Sequence, residues 1–213
     1  MKKIIIFLIS LFFTQVVFAD QQATQALMTD LAKLQSVQGQ FGQTIKDAHG
    51  AVMQQTKGDF ALNRPVSGQT QGLFYWNVKT DPKQVLIADG KNFWFYDVSL
   101  QQVTKQSQSA VATQNSPAML LSGDLKQISK QYNISMITAN SEQKFTLVPI
   151  KTAQGSGTFT QLVIIFSAGE LKKMQAVDAL ENHIEINFSN LKTPAPASLF
   201  VFKKPAGAEV VQA

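Results

Sequence analysis

Leu73-Phe74-Tyr75-Trp76-Asn77-Val78, a break at Asp81-Pro82, Val85-Leu86-Ile87-Ala88 running into Asp89-Gly90, then Asn92-Phe93-Trp94-Phe95-Tyr96-Asp97: short apolar and aromatic segments separated by turn dipeptides. Such segments read as strands joined by tight turns, a run of antiparallel hairpins. A strand wetted on one face alternates apolar and polar side chains. Leu73 to Trp76 and Phe93 to Tyr96 do not alternate, so both faces carry bulky rings and both must be covered.

Upstream, Phe41 to Lys46 and Val52 to Leu62 read as further strands around the turn His49-Gly50. Before them, Ala23, Leu27, Leu31 and Leu34 fall at spacings of four, four and three, which predicts an amphipathic helix over Asp20 to Val37, ended by Gly39. Downstream, an irregular stretch from Ser107 to Ser116 leads into Pro117-Ala118-Met119-Leu120-Leu121. Ser116 as N-cap and Pro117 in the first helical position start a helix there, Gly123 closes it, and Asp124 to Gln131 continues as a turn or two. Strands resume over Asn133 to Ala139, Lys144 to Val148, Thr160 to Ser167, Lys172 to Asp178 and His183 to Leu191, and Leu199 to Phe202 is a last apolar piece. The fold expected is mainly β with an α lid: one long meander of about 11 strands forming a barrel or a strongly curved sheet. Its concave face is lidded by the first helix and the Pro117 helix. No linker divides residues 20–213, which are expected to form a single domain.

The front of the chain is an address. Lys2-Lys3, the apolar run Ile4 to Phe13 and the small-residue pattern ending at Ala19 make a secretory signal peptide over residues 1–19, removed after Ala19. A membrane anchor needs about 20 apolar residues, and Ser10, Thr14 and Gln15 interrupt this run. No Cys follows the cleavage point, so the mature chain is expected to be unlipidated and soluble outside the inner membrane.

Composition narrows the function. Hydrophobic residues make up 45% of the 213 residues and charged ones 15%, against roughly 25% charged in ordinary domains. The missing polarity is supplied by 25 Gln, beside 14 acidic and 19 basic residues. This is not a charge-rich disordered chain, and without Cys it is neither a disulfide scaffold nor a thiolate metal site. Loss of Lys2 and Lys3 lowers the formal charge from +5 to +3. Arg64 is the only arginine and the lysines are scattered, so no nucleic-acid partner is expected.

Catalytic constellations are missing. His49 sits in a turn and His183 alternates with Glu185 on a strand, with no identifiable nucleophile or acid to complete a triad. Asp47, Asp81, Asp89 and Asp124 fall at turns, and none is singled out as half of a glycosidase pair. Gly155-Ser156-Gly157 lacks the Lys-Ser/Thr of a phosphate loop. Two histidines are little material for a metal centre. No enzyme, no metal and no cofactor are expected.

Several short motifs, taken in order, carry a resemblance. They are Gly39-Gln40-Phe41 with Gln43, Lys57-Gly58-Asp59-Phe60, Arg64-Pro65, Leu73-Phe74-Tyr75-Trp76, Ala88-Asp89-Gly90-Lys91, Trp94-Phe95-Tyr96, Asn115-Ser116-Pro117 with Leu120-Leu121, and Phe200-Val201-Phe202 with Pro205 and Gly207. Nearly the whole mature chain resembles the periplasmic outer-membrane lipoprotein carrier family, LolA. The resemblance implies an incomplete barrel whose helical lid encloses an apolar cavity. It implies a monomeric carrier that takes acylated lipoproteins from an inner-membrane ABC transporter and hands them to an outer-membrane receptor. It also implies that Arg64 hydrogen-bonds to the lid backbone and holds the empty cavity shut, a role its five fixed donors suit.

On that reading the acyl chains are lined by Leu31 and Leu34 of the first helix, by Phe41, Phe60, Phe74 and Trp76 of the strands, by Leu120 and Leu121 of the lid, and by Met136, Phe166 and Met174 of later strands. Methionine thioethers adapt to chains of differing shape. Two departures from the family pattern are Val66 to Gln71, read as an insertion beside Arg64, and Val98 in place of a frequent Pro. The rival class is a lipid-sensing regulatory module of similar fold, which would carry a further domain for which 194 mature residues leave no room.

Overall fold

The quoted segments are the strands β3 (Leu73–Val78), β4 (Gln84–Ala88) and β5 (Asn92–Asp97), each hydrogen-bonded antiparallel to the next. The structure, a computed structural model, describes residues 16–66, 71–111, 117–150 and 159–212. The run Ile4 to Phe13, the Ser116 cap, Gly155-Ser156-Gly157 and most of the Val66 to Gln71 insertion lie outside them. A helix α1 (Val16–Lys33) precedes β1 (Ser36–Lys46) and β2 (Val52–Asn63). After β5 come β6 (Gln102–Ser107), a short α2 (Gln108–Val111), the 3-10 segment Pro117–Ser122 and α3 (Leu125–Gln131). Then follow β7 (Tyr132–Ala139), β8 (Glu142–Pro149), β9 (Phe159–Ser167), β10 (Glu170–Asp178), β11 (His183–Lys192), a 3-10 turn Ala197–Phe200 and β12 (Glu209–Gln212).

Among the described residues these strands make one open 12-stranded sheet in the order β12-β6-β5-β4-β3-β2-β1-β11-β10-β9-β8-β7. It is an incomplete barrel, antiparallel but for the β12–β6 pair. The expected single meander is two, β1 to β6 and β7 to β11, joined where β1 pairs with β11. The chain leaving β6 must therefore travel to the far edge before β7, and Pro117–Ser122, buried in the core, lies on that way. Pro117–Ser122 touches β2, β3 and β10. Strands lie about 4.8 Å apart, so a thin segment reaches β3 and β10 together only because the sheet curves around it.

Three boundaries differ from the sequence expectation. Helix α1 ends at Lys33, where Leu34 N donates to Leu31 O at 3.0 Å, and Val37 and Gly39 belong to β1. Gly39 answers a close approach, not a helix end: a Cβ there would lie 2.9 Å from the Ser189 carbonyl. Strand β6 has only Val103 as an apolar signal, yet that side chain is fully buried. The Leu199 to Phe202 piece is largely a 3-10 turn, and β12 is exposed along its length.

Alternate residues of the aromatic strands do face opposite ways. Phe74, Trp76, Phe93 and Phe95 point into the main core, while Leu73 and Tyr75 pack outside with Ala61, Ala195, Leu199 and Phe200. Phe202 lies flat on Trp94, centroids 4.4 Å apart and planes 7° from parallel, and Lys105 Nζ sits 5.0 Å from the same ring. Trp94 Nε1 donates to Asp89 Oδ2 at 2.8 Å. Burial alone raises the Asp89 pKa, but this bond and those from Asn92 and Lys91 outweigh it and hold the carboxyl below its usual range. The C-terminal segment is thus the cover that the outer aromatics require. Phe202→Ala is expected to lower the unfolding free energy by about 1–2 kcal/mol, read as a reduced urea midpoint with unchanged slope.

Candidate functional site

One contiguous apolar cluster fills the inner face. Of the side chains expected to line a cavity, Leu31, Leu34, Phe41, Phe60, Phe74, Trp76, Leu120, Leu121, Phe166 and Met174 are all buried within it, and Met136 is half-buried at its margin. Aromatic rings form its floor. Phe41 stacks on Trp76 with centroids 3.5 Å apart, Phe74 lies 5.9 Å from Trp76, and Phe60 meets Phe188 edge-on at 5.0 Å. All six residues of Pro117–Ser122 are buried against this floor. At about 1.5–3 kcal/mol per large apolar side chain removed from water, Met119, Leu120 and Leu121 are enough to hold the lid down.

The expected apolar cavity is filled by these packed side chains. Among the described residues, two small cavities lie beside the lid. One, of about 260 Å³, opens on the inner face where Trp76, Val78, Leu86 and Phe95 meet Pro117, Phe159 and the polar Gln43, Gln54 and Asp178. The other, of about 210 Å³, lies between the lid and Gly72, Gln108 and Ile128. A wider recess of about 850 Å³ is on the outer face, lined mainly by Thr44, Lys46, Gln55, Lys144, Gln161 and Gln175, with both histidines, His49 and His183, at its walls. Its lining mixes these polar side chains with Val52, Val163, Val177 and Ile184. Among the described residues no group of three or more His, Asp or Glu converges to hold a metal.

Arg64 stands where β2 ends, with its backbone tied to the α1–β1 turn: Arg64 N donates to Gln35 O at 2.9 Å and Gln35 Nε2 donates to Arg64 O at 3.1 Å. The side chain is 4% exposed, and its Nη1 donates to the carbonyl of Gly123, just past the lid, at 2.8 Å. Nε and Nη2 are buried without a partner among the described residues. Burial lowers the guanidinium pKa to about 10, with Asp124 acting in the opposite direction. The group stays charged at any physiological pH.

Two further residues shape the lid. Gln108, fully buried, accepts from Gly90 N at 2.8 Å through Oε1 and donates through Nε2 to Gly72 O at 2.7 Å. Gly72 lies directly against the Ser122 carbonyl, leaving no room for a Cβ. In the sequence, Gly72 is one of several loop glycines and Gln108 one of 25 glutamines. Only the paired requirement of a buried Gln donor and acceptor at the lid edge sets them apart, and no spacing rule displays it.

Comparison with known proteins agrees with this geometry. The family model described as outer membrane lipoprotein carrier protein LolA matches residues 32–203. A Pseudomonas entomophila protein named outer-membrane lipoprotein carrier protein is 35% identical over 196 residues, covering 91% of this chain and 90% of the relative. A protein of the same name from Azotobacter vinelandii is 34% identical over 196 residues, with 91% and 90% coverage. Among solved structures, an uncharacterized conserved protein from Thermus thermophilus superposes with a TM-score of 0.53 at 13% identity, covering 90% of this chain and 100% of the other, and speaks for the fold alone.

Proposed function

The chain belongs to the outer membrane lipoprotein carrier family, LolA, and from that premise we propose how its chamber carries acyl chains between membranes. The protein is an outer-membrane lipoprotein carrier. Its cargo is acylated lipoproteins, taken in the periplasm from an inner-membrane ABC transporter and passed to an outer-membrane receptor. Export depends on residues 1–19, with cleavage after Ala19 at a point inside α1, so that the mature helix begins at Asp20. No described helix is long and apolar enough to cross a membrane.

The observation that carries this reading is a lid of buried apolar residues resting on a buried aromatic floor and tied down by one arginine hydrogen bond. An acyl chain in water costs about 0.8 kcal/mol per CH₂, or ~12 kcal/mol for 16 carbons. Walls such as Phe74, Trp76, Leu121 and Met174 cancel that cost without directional bonds, so chain length and register are free to vary. The closed lid is what makes the binding reversible. Loading must separate Leu120 and Leu121 from the floor and detach Arg64, and these contacts re-form when the chain leaves. Apolar walls and a latch that holds a lid are what a carrier needs, and the reading is of a carrier.

Protein purified from a lysate that contains membranes is expected to bring acylated lipoproteins with it, identified by mass spectrometry of the intact complexes. A preparation free of acylated proteins, from cells in which such proteins are abundant, would sink the reading.

A further inference from the structure

The inner face changes character toward one end of the sheet. On β1 the core residues Val37 and Phe41 give way to Gln43, on β2 Phe60 gives way to Thr56 and Gln54, and on β4 Ala88 and Leu86 give way to Gln84. Strand alternation puts each of these on the face that carries the core. Gln43 stands opposite Thr56, Gln54 opposite Ile45 and Gln84 opposite Val78, at the ends where β1 turns into β2 and β3 into β4. All three glutamines are half-buried on the wall of the cavity of about 260 Å³, and none of their side-chain amides is hydrogen-bonded to another described residue. Trp76, the ring that stacks on Phe41, lines the same cavity, and so does Pro117, where the lid segment starts. A collar of neutral amides thus borders the apolar floor.

An acyl chain never arrives as pure hydrocarbon. It ends in an ester or amide carbonyl, which must be drawn toward the floor with it and which costs free energy there unless a donor meets it. A glutamine amide has two such donors and no charge. We infer that Gln43, Gln54 and Gln84 form the seat of the cargo's acyl linkages: their amides donate to the ester carbonyls while the chains run past Trp76 toward the floor. The inference rests on the reading of this face as the acyl site, and adds to it the chemical group that fixes where each chain begins. Phospholipids carry the same fatty esters, but their phosphate finds no cation on this wall. Among the described residues Asp178 is the only ionisable one there, and its carboxylate already accepts from Leu180 N, Asn182 N and Asn182 Nδ2 at 2.8 Å each. The collar therefore fits the neutral linkage of a lipidated peptide.

Two lipopeptides separate the carbonyl from the chain, one bearing two palmitoyl esters and the other two hexadecyl ethers of equal length. Titrated into the mature protein and followed by tryptophan emission, the ester is expected to bind about tenfold tighter than the ether. In a variant carrying both Gln43→Met and Gln54→Met, where Met keeps the length of Gln without its amide, that ratio should fall below about threefold, and Gln84→Met should lower it in part. A general loosening of the fold would weaken both ligands alike and leave the ratio where it was. A phosphatidylglycerol with the same palmitoyl esters should bind about tenfold more weakly than the ester lipopeptide. Equal affinity for ester and ether in the unsubstituted protein, or a ratio that survives in both variants, would overturn the collar and leave the carrier reading standing. Phospholipid binding as tight as that of the lipopeptide would overturn the assignment of the seat to lipidated peptides. If neither lipopeptide binds, the carrier reading itself falls and takes the collar with it.

Discussion

Replacing Arg64 with Leu is expected to leave lipoprotein loading intact and to slow hand-over to the outer-membrane acceptor about tenfold or more. Hydrogen bonds to charged groups contribute about 1.5–3 kcal/mol net of desolvation. The Arg64 bond to Gly123 belongs at the lower end, because Nε and Nη2 have no partner among the described residues. That energy favours the empty, closed chamber. Without it the open form is more populated and a bound acyl chain has less to displace, so affinity rises by the same factor. Release is then slower, since unloading no longer recovers the latch. The measurement is the rate at which purified variant, preloaded with a lipoprotein, transfers it to outer membranes. Transfer at the rate of the unsubstituted protein would remove Arg64 from the mechanism.

Gly72→Ala should force the lid up from its latch end. A Cβ at this position collides with the Ser122 carbonyl oxygen and stands 2.9 Å from the Asn63 carbonyl, and both obstacles are backbone. Ser122 ends the 3-10 segment and Gly123 holds the Arg64 hydrogen bond, so the displacement falls on the latch itself. The Gln108 bond to Gly72 O is strained in the same step. A loss of about 1–3 kcal/mol in unfolding free energy is expected, together with increased binding of an apolar fluorescent dye. Gly42→Ala is the matched control, because its Cβ would meet nothing within 4 Å. If the two variants were equally stable and bound dye equally, Gly72 would not be the seat of the lid.

What the sequence displayed was set by local chemistry, and what it hid was set by distance along the chain. The aromatic strands β3 and β5 were legible because rings on both faces demand two covers, and the structure supplies the lid inside and Phe200 and Phe202 outside. Leu120 and Leu121 were legible through Pro117, which begins their segment, and Arg64 only through the family resemblance that the Arg64-Pro65 motif helps to carry. The pairing of β1 with β11 was not legible, because it joins residues about 150 positions apart through backbone bonds that leave no pattern. Gly39 misled for the same reason. As local punctuation it ends a helix, but its true neighbours are Ser189 and Leu191 of a distant strand. Strand β6 was hidden because Gln, Lys and Ser outnumber its two strand-favouring residues, Val103 and Thr104, and it forms because β5 offers it a partner.

The two tryptophans allow the chamber itself to be tested. Trp76 lies on the inner floor, stacked with Phe41, and Trp94 lies on the outer face under Phe202. The chain has no other tryptophan, so W94F and W76F each leave a single emitter on a known side of the sheet. A lipopeptide with brominated acyl chains quenches only indoles that it touches. Saturating the W94F protein with it should extinguish most of the Trp76 emission, and the same addition to the W76F protein should leave Trp94 emission unchanged. Quenching of Trp94 with Trp76 unaffected, or equal quenching of both, would contradict an acyl chamber beneath the lid.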